Sequence, residues 1–361
     1  MTSPADLGAV ERTLAEGPLG RRLGVKATID PDAACVRLLT ERGWVATHHL
    51  VCDQHGWGVT GTSSGSTTPV NPRDPQAVPG GSSSGCAVAV AASIVDAAVG
   101  TDTGGSIRIP ATWCGVVGFR PTTGRVPTDG VEPLAPSFDV PGLITRDVAT
   151  MTEALAAWGI EPERPAGTVR IGVAHPSVPM SAAARAAHDG VAARLRDAGR
   201  VDAEVELDTR ALRRTFSAIQ MAESVRSLAD VDPATLVPVV REQLAAARAV
   251  DAEDETAARR RRAELQMPAD VDVLVLPAVA AGPPPTSAPD TVHTDAGPIP
   301  TARAVVEPNV LAPLLGAPAV SIPLDPARGT GVQLVAPPGA DGLLLGLLPD
   351  LLPLLTEPAT P

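Results

Sequence analysis

Two glycine-rich stretches hold serines within residues 80–127, GGSSSGCAVAVAASIVDAAVGTDTGGSIRIPATWCGVVGFRPTTGRVP. In GTDTGGS (100–106) the glycines permit tight turns and let a substrate approach the backbone closely. Successive N–H groups in such a run can face a carbonyl oxygen as charge develops on it, which is what an oxyanion hole requires. Ser106, inside this run, is a candidate nucleophile, and a serine nucleophile needs a base.

Histidine is the usual base. The chain has His48, His49, His55, His175, His188 and His293, and none sits in a recognisable triad motif. His188 reads as part of a solvated helix and His293 as part of an irregular loop. A Ser–Lys arrangement is the other option. There the lysine must be neutral, and burial disfavours its charged form. Lys26 lies between Val25 and Ala27 in a strand-like piece, and it is the chain's sole lysine: of 29 basic residues the other 28 are arginines. Arginine cannot give up its proton, so a lysine kept at this one place has a chemical rationale.

Other chemistry-bearing residues read more plainly. HHLVCDQH (48–55) matches no common zinc spacing. Cys86 and Cys114 read as small buried hydrophobes. Asp102 and Arg108 read as a structural ion pair beside the glycine loop, because buried charges need partners. Glu255 lies four residues before Arg259, so Arg259 to Arg262 read as a solvated helix face.

The elements that must position these groups follow from periodicity. Ser3 is a candidate cap for a helix carrying Leu7, Val10 and Leu14. Residues 24–30 and 44–47 read as strands around a helix over 31–43. Residues 56–85 read as loop. Ala87 to Ala98 reads as a buried small-residue helix flanked by the two glycine loops. Strands are expected at 169–174, 271–277, 319–323 and 331–337. Helices are expected at 181–199, capped by Ser181, and at 233–249 and 251–266. Residues 278–308 read as a long ordered loop, and Leu343 to Leu355 as a buried helix that ends at Pro349 and Pro353. Apolar strands interleaved with helices predict an α/β domain with a covered sheet.

Bulk properties set the class. At 361 residues and 44% hydrophobic, the chain is long enough for one large domain or two ordinary ones. With 2% aromatic residues, no Tyr and a net charge of −12, it offers few stacking platforms and repels phosphate, which argues against nucleic-acid binding. The four cysteines form no CxxC pair, and the first residues show no basic region followed by an apolar run. No disulfide scaffold, no signal peptide and a cytoplasmic location are expected. The apolar tail is too short to span a bilayer, so no membrane association is expected.

The wording of 80–127 resembles the amidase signature family. GGSSSG, GTDTGGSIRIP, CGVVGFRPTTGRV and the upstream NPRDPQAVPGG all carry the likeness. It extends to GVKATID (24–30), GWGVTGT (56–62), DVLVLPAV (272–279), NVLAPLLGAPAVSIP (309–323) and GVQLVAPPGADGLLL (331–345). The resemblance implies one amidase-like domain over 1–361, α/β with a large mixed, mostly buried sheet covered by helices on both faces. Within it, 80–127 would be the signature core and 165–270 a variable, mostly helical segment. It further implies Ser106 as nucleophile, Ser82, in a cis peptide linkage and 24 positions upstream, as proton shuttle, and Lys26 as the ultimate base. The backbone N–H groups of Thr103, Gly104, Gly105 and Ser106 would form the oxyanion hole. Trp57, Val59, Thr60 and Asn309 are candidate pocket residues from position alone. The implied activity is hydrolysis of a small or medium amide, with ureas, carbamoyl compounds and esters nearby in chemistry. No cofactor or metal is implied, and a homodimer is open to it. The amidase subunit of a tRNA-dependent amidotransferase and a non-catalytic scaffold are the competing readings. The sequence departs from the family pattern in three ways: Ala27 replaces the usual Asp, Cys86 stands where Ser is common, and the stretch after Lys26 is short.

Overall fold

A computed structural model describes residues 7–15, 20–165 and 167–356. Among these residues, eleven strands form one mixed sheet. They are β1 (Val10–Thr13), β2 (Arg21–Lys26), β3 (Trp44–Leu50), β4 (Ala97–Asp102), β5 (Val117–Arg120), β6 (Val140–Thr145), β7 (Ile171–Pro176), β8 (Ala203–Leu207), β9 (Val273–Pro277), and two that follow a hairpin. The hairpin is β10 (Thr291–Thr294) and β11 (Gly297–Pro300), and the last strands are β12 (Ala319–Asp325) and β13 (Thr330–Val335). The sheet order is β1-β3-β2-β4-β6-β5-β12-β13-β9-β7-β8. β2 runs parallel to both β3 and β4, whereas β4 to β9 across the centre pair antiparallel.

The helices are α1 (Ala34–Thr40), α2 (Ser84–Ala91), α3 (Arg108–Trp113), α4 (Val148–Ala156), α5 (Ala182–Asp197), α6 (Thr209–Ser227), α7 (Pro238–Ala247), α8 (Ala252–Glu264), α9 (Thr301–Asn309), α10 (Leu311–Leu315) and α11 (Asp341–Thr356). Alternate residues of one strand serve opposite faces. On β4, Ala97 and Val99 join the core packed by α1, α4, α5 and α11, while Ala98 joins the core packed by α2 and α3. On β9, Val273 and Val275 face the first of these cores, and Leu274 and Leu276 face Leu311 and Ala312 of α10. With both faces covered, the central strands are buried along their whole length. The result is a single α/β domain with a covered mixed sheet, as the sequence predicts.

Several local expectations are corrected. Ser3 lies outside the described residues. The segment from Val10 onward forms strand β1, not a helix, because Val10–Thr13 pairs with His48 to Leu50 of β3. The small-residue helix ends at Ala91, where Ser93 turns to φ 59°, and Ala97 begins β4. Strand β4 therefore follows the helix and takes in Gly100, Thr101 and Asp102, the first residues of the second glycine-rich stretch. Residues 278–308 hold the β10–β11 hairpin and α9. Helix α11 continues through Pro349 and Pro353. Six buried leucines decide that outcome. Each contributes about 1.5–3 kcal/mol on burial, against about 3 kcal/mol or more for an interior proline.

His188 does not sit on a solvated face. It is 3% exposed and belongs to the buried stripe Ala184, His188, Val191, Ala192 and Leu195 of α5. Burial pulls its pKa down. Ser181 caps α5 by accepting from the Ala184 N–H, as expected. His293 lies on β10 rather than in a loop. The arginines of α8 are also less free than expected. Arg259 binds Glu223 and Glu255, and Arg262 donates to the Leu314 and Ser137 carbonyls while lying 4.6 Å from the Phe138 ring centre.

Candidate active site

Lys26 is the last residue of β2 and has no exposed surface. Its Nζ lies 2.7 Å from Ser82 Oγ and 2.6 Å from Thr101 Oγ1 of β4. The parallel pairing of β2 with β4, which sets Val25 beside Val99, brings the lysine to Thr101. The short stretch after Lys26 does not carry it away from Ser82. Nothing in the sequence singles out Thr101 beyond its place in the second glycine loop.

Ser82 is fully buried and follows a cis peptide bond from Gly81. Asp53 holds its loop. The Asp53 N–H donates to the Ser82 carbonyl at 3.1 Å, and the Asp53 carboxylate accepts from the Gly61 N–H, the Ser63 N–H and Ser63 Oγ. A Cβ at Gly81 would fall 2.1 Å from Asp53 Oδ2, so only glycine fits there. Burial pushes the Asp53 carboxyl up in pKa, opposed by these donors. In the sequence Asp53 is one letter of HHLVCDQH. Its signal is an acid shortly ahead of a Gly-rich run, which is too weak to read alone.

Ser106 is 6% exposed and opens toward a cavity. Its carbonyl accepts from the Ser83 N–H at 3.2 Å, tying the two serine loops together. Beneath the loop lies Asp102, the end of β4. Its carboxylate accepts from the Gly105 and Ile107 N–H groups and from Arg108, with Arg120 at 3.2 Å. Asp102, Arg108 and Arg120 have no exposed surface, so the structural reading of this ion pair stands, with Arg120 added. Burial would raise the Asp102 pKa, but the two guanidiniums hold it far below the usual carboxylate range. The same burial lowers Arg120 to about 10, against the pull of Asp102.

The Asp102 bonds correct one expectation. The Gly105 N–H is taken by Asp102 Oδ1 at 3.0 Å and does not face a substrate. Among the described residues, the N–H groups of Thr103, Gly104 and Ser106 have no protein acceptor. Gly105 is instead the pivot, at φ 116°, and a Cβ there would meet the Asn309 Cβ at 2.8 Å. Thr103 is fixed from the other side, its Oγ1 donating to Asp139 at 2.6 Å.

Replacing Asp102 by Asn is expected to destabilise the fold by about 3–5 kcal/mol, since it leaves two buried guanidiniums short of a counter-charge. Urea titration at neutral pH measures this. Because the native pKa is depressed, the carboxylate's contribution is fully present above the ordinary value near 4 and is lost as pH falls toward the native one. The variant's deficit should therefore shrink in acid.

The cavity at Ser106 has a volume of about 170 Å³. Its lining includes Trp57, Val59, Thr103, Gly104, Ile109, Leu134 and a row from one face of α6: Arg213, Phe216, Ser217, Gln220 and Met221. Trp57 and Val59 thus line it. Thr60 lines only an adjoining groove of about 740 Å³, which shares Trp57, Gly58, Val59, Gln243 and Ala302 with the cavity. Asn309 lines neither. It is buried, and its Nδ2 donates to the Ala278 and Val305 carbonyls, so it supports Gly105 from below. Helix α6 is absent from the elements expected of the sequence. Its signals are Asp208, which caps it through the Ala211 N–H, and the apolar spacing Leu212, Phe216, Ile219.

The profile of the Amidase family matches residues 23–345. Over 119 residues the chain is 49% identical to Amidase 1 of Arabidopsis thaliana, a stretch covering 33% of this chain and 28% of that protein. Over 129 residues it is 46% identical to a glutamyl-tRNA(Gln) amidotransferase subunit of Methanospirillum hungatei JF-1, covering 36% of this chain and 30% of that one. The matches thus span under a third of the length of these curated relatives. A solved structure described as a crystal structure of amidase superposes with a TM-score of 0.85 at 28% identity, over 95% of this chain and 91% of that one. With the profile covering most of its length and the same fold throughout, the chain belongs to the Amidase family.

Proposed function

We propose that the protein hydrolyses the C–N bond of a small or medium amide through an acyl-enzyme on Ser106. Ureas, carbamoyl compounds and esters present the same kind of carbonyl. The observation that carries the reading is the buried 2.7 Å contact between Lys26 Nζ and Ser82 Oγ, beside a serine loop with unpaired N–H groups. That distance suits proton transfer.

Lys26, as the free amine, takes a proton from Ser82 Oγ as Ser82 takes the proton of Ser106. Ser106 Oγ bonds to the amide carbon, and its carbonyl oxygen gains charge facing the Thr103, Gly104 and Ser106 N–H groups. Collapse breaks the C–N bond, and the amine leaves with a proton returned along the relay. Water then repeats the sequence on the ester and releases the acid. Four buried, free cysteines fit a reducing cytoplasm. Among the described residues no helix is long and apolar enough to cross a membrane.

A fluorophosphonate probe is expected to label the wild-type protein at Ser106, read by peptide mass. No labelling at any pH would favour a non-catalytic binding role. A second reading, the amidase subunit of a tRNA-dependent amidotransferase, has the 46% local identity in its favour. Glutaminase activity that appears only when the other components of such a complex are supplied would select it.

A further inference from the structure

The chain carries a net charge of −12, yet Arg213 is the one charged residue among the described residues that line the Ser106 cavity. Its guanidinium is not neutralised there. Arg213 Nε donates to Glu307 Oε1 at 3.2 Å, but Arg303 Nε takes the same oxygen at 3.0 Å. Glu307 is fully buried, and its remaining polar partner among the described residues is the Thr209 hydroxyl at 3.5 Å. Two guanidiniums therefore share one carboxylate, leaving a surplus positive charge.

Arg213 is 39% exposed, and among the described residues its two terminal nitrogens meet no acceptor. With Nε anchored, the planar fork is held in one place, the arrangement suited to bidentate carboxylate recognition. Ser217 and Gln220, on the same wall of α6, add neutral hydrogen-bonding groups. Arg303 does not line the cavity.

We propose that Arg213 selects amides that also bear a carboxylate, which it binds while Ser106 meets the amide carbon. The proposal rests on the hydrolase reading above and narrows its substrate class. Arg213 takes no part in bond making; it sets specificity.

The test compares half-amides of short dicarboxylic acids with the matching neutral diamides. Binding is measured by calorimetry on Ser106→Ala, so that the result does not depend on turnover. The half-amide is expected to bind about tenfold to a hundredfold more tightly, the size of a charge-assisted hydrogen-bond pair. Arg213→Met, added to Ser106→Ala, is expected to collapse that preference toward unity, and Arg213→Lys to restore part of it. Arg303→Met separates fork from charge: it leaves Glu307 to Arg213 alone and removes the surplus charge, while the two terminal nitrogens of Arg213 keep their place, so the preference should weaken but persist.

Equal binding of the two ligands, or a preference that survives Arg213→Met, overturns the proposal. So does its complete loss in Arg303→Met, which would point to the net charge of the ion cluster rather than the Arg213 fork. Failure of the hydrolase reading shows up separately, as a wild type that neither takes the fluorophosphonate nor cleaves either amide.

Discussion

Ser106→Ala is expected to lower amide hydrolysis by about 10⁴-fold to 10⁶-fold, the range for removing a serine nucleophile whose oxyanion donors remain. The fold should be unaffected. Ser106 is nearly buried, but what holds its loop is the Asp102 carboxylate and the Ser83 N–H, and neither uses the Ser106 hydroxyl. Thermal melting of the variant should match wild type within a degree or so, placing the loss in chemistry. Turnover within about tenfold of wild type would remove Ser106 from the mechanism.

The second large effect belongs to Lys26. Lys26→Met keeps the side chain's length and removes its amine, and activity should fall by about 10³-fold or more. Lys26→Arg should not rescue it, since a guanidinium cannot take the proton. The two changes differ in stability. Methionine leaves Ser82 Oγ and Thr101 Oγ1 without their shared partner, a cost of about 1–3 kcal/mol for each group. It also relieves the desolvation of a buried amine, which works the other way. The net change should therefore be small beside the kinetic one. Near-normal turnover in Lys26→Met would refute the assignment of the base, whatever the melting temperature.

The serine loops were legible because their chemistry and their composition coincide: glycines beside a serine say where the backbone must turn. The sole lysine was legible for a different reason, as an exception within an arginine-rich chain. What supports them was not legible. Asp53, Asp139 and Thr101 are ordinary residues in the sequence, and only the fold brings them to Ser82, Thr103 and Lys26.

The errors have physical causes. Leu7, Val10 and Leu14 have helical spacing, but β3 offered the segment an edge to pair with, and tertiary pairing overrode local pattern. Helix α2 stops just before a serine with positive φ, where glycine or asparagine is the usual sign, so its end could not be seen. Helix α6 carries both a cap and an apolar stripe. Arginines and small polar residues dilute that stripe and hide it, and with it the wall that carries Arg213.

That the chain's single lysine is wholly enclosed and in contact with Ser82 has a spectroscopic consequence. Protein grown with isotope-labelled lysine carries one side-chain probe, so magnetic resonance would follow the protonation of Lys26 through one signal that needs no assignment. Amine-directed reagents find no lysine on the surface of this chain. A reagent that does modify it must have penetrated to the interior beside Ser82, so its rate of reaction clocks how often that interior opens.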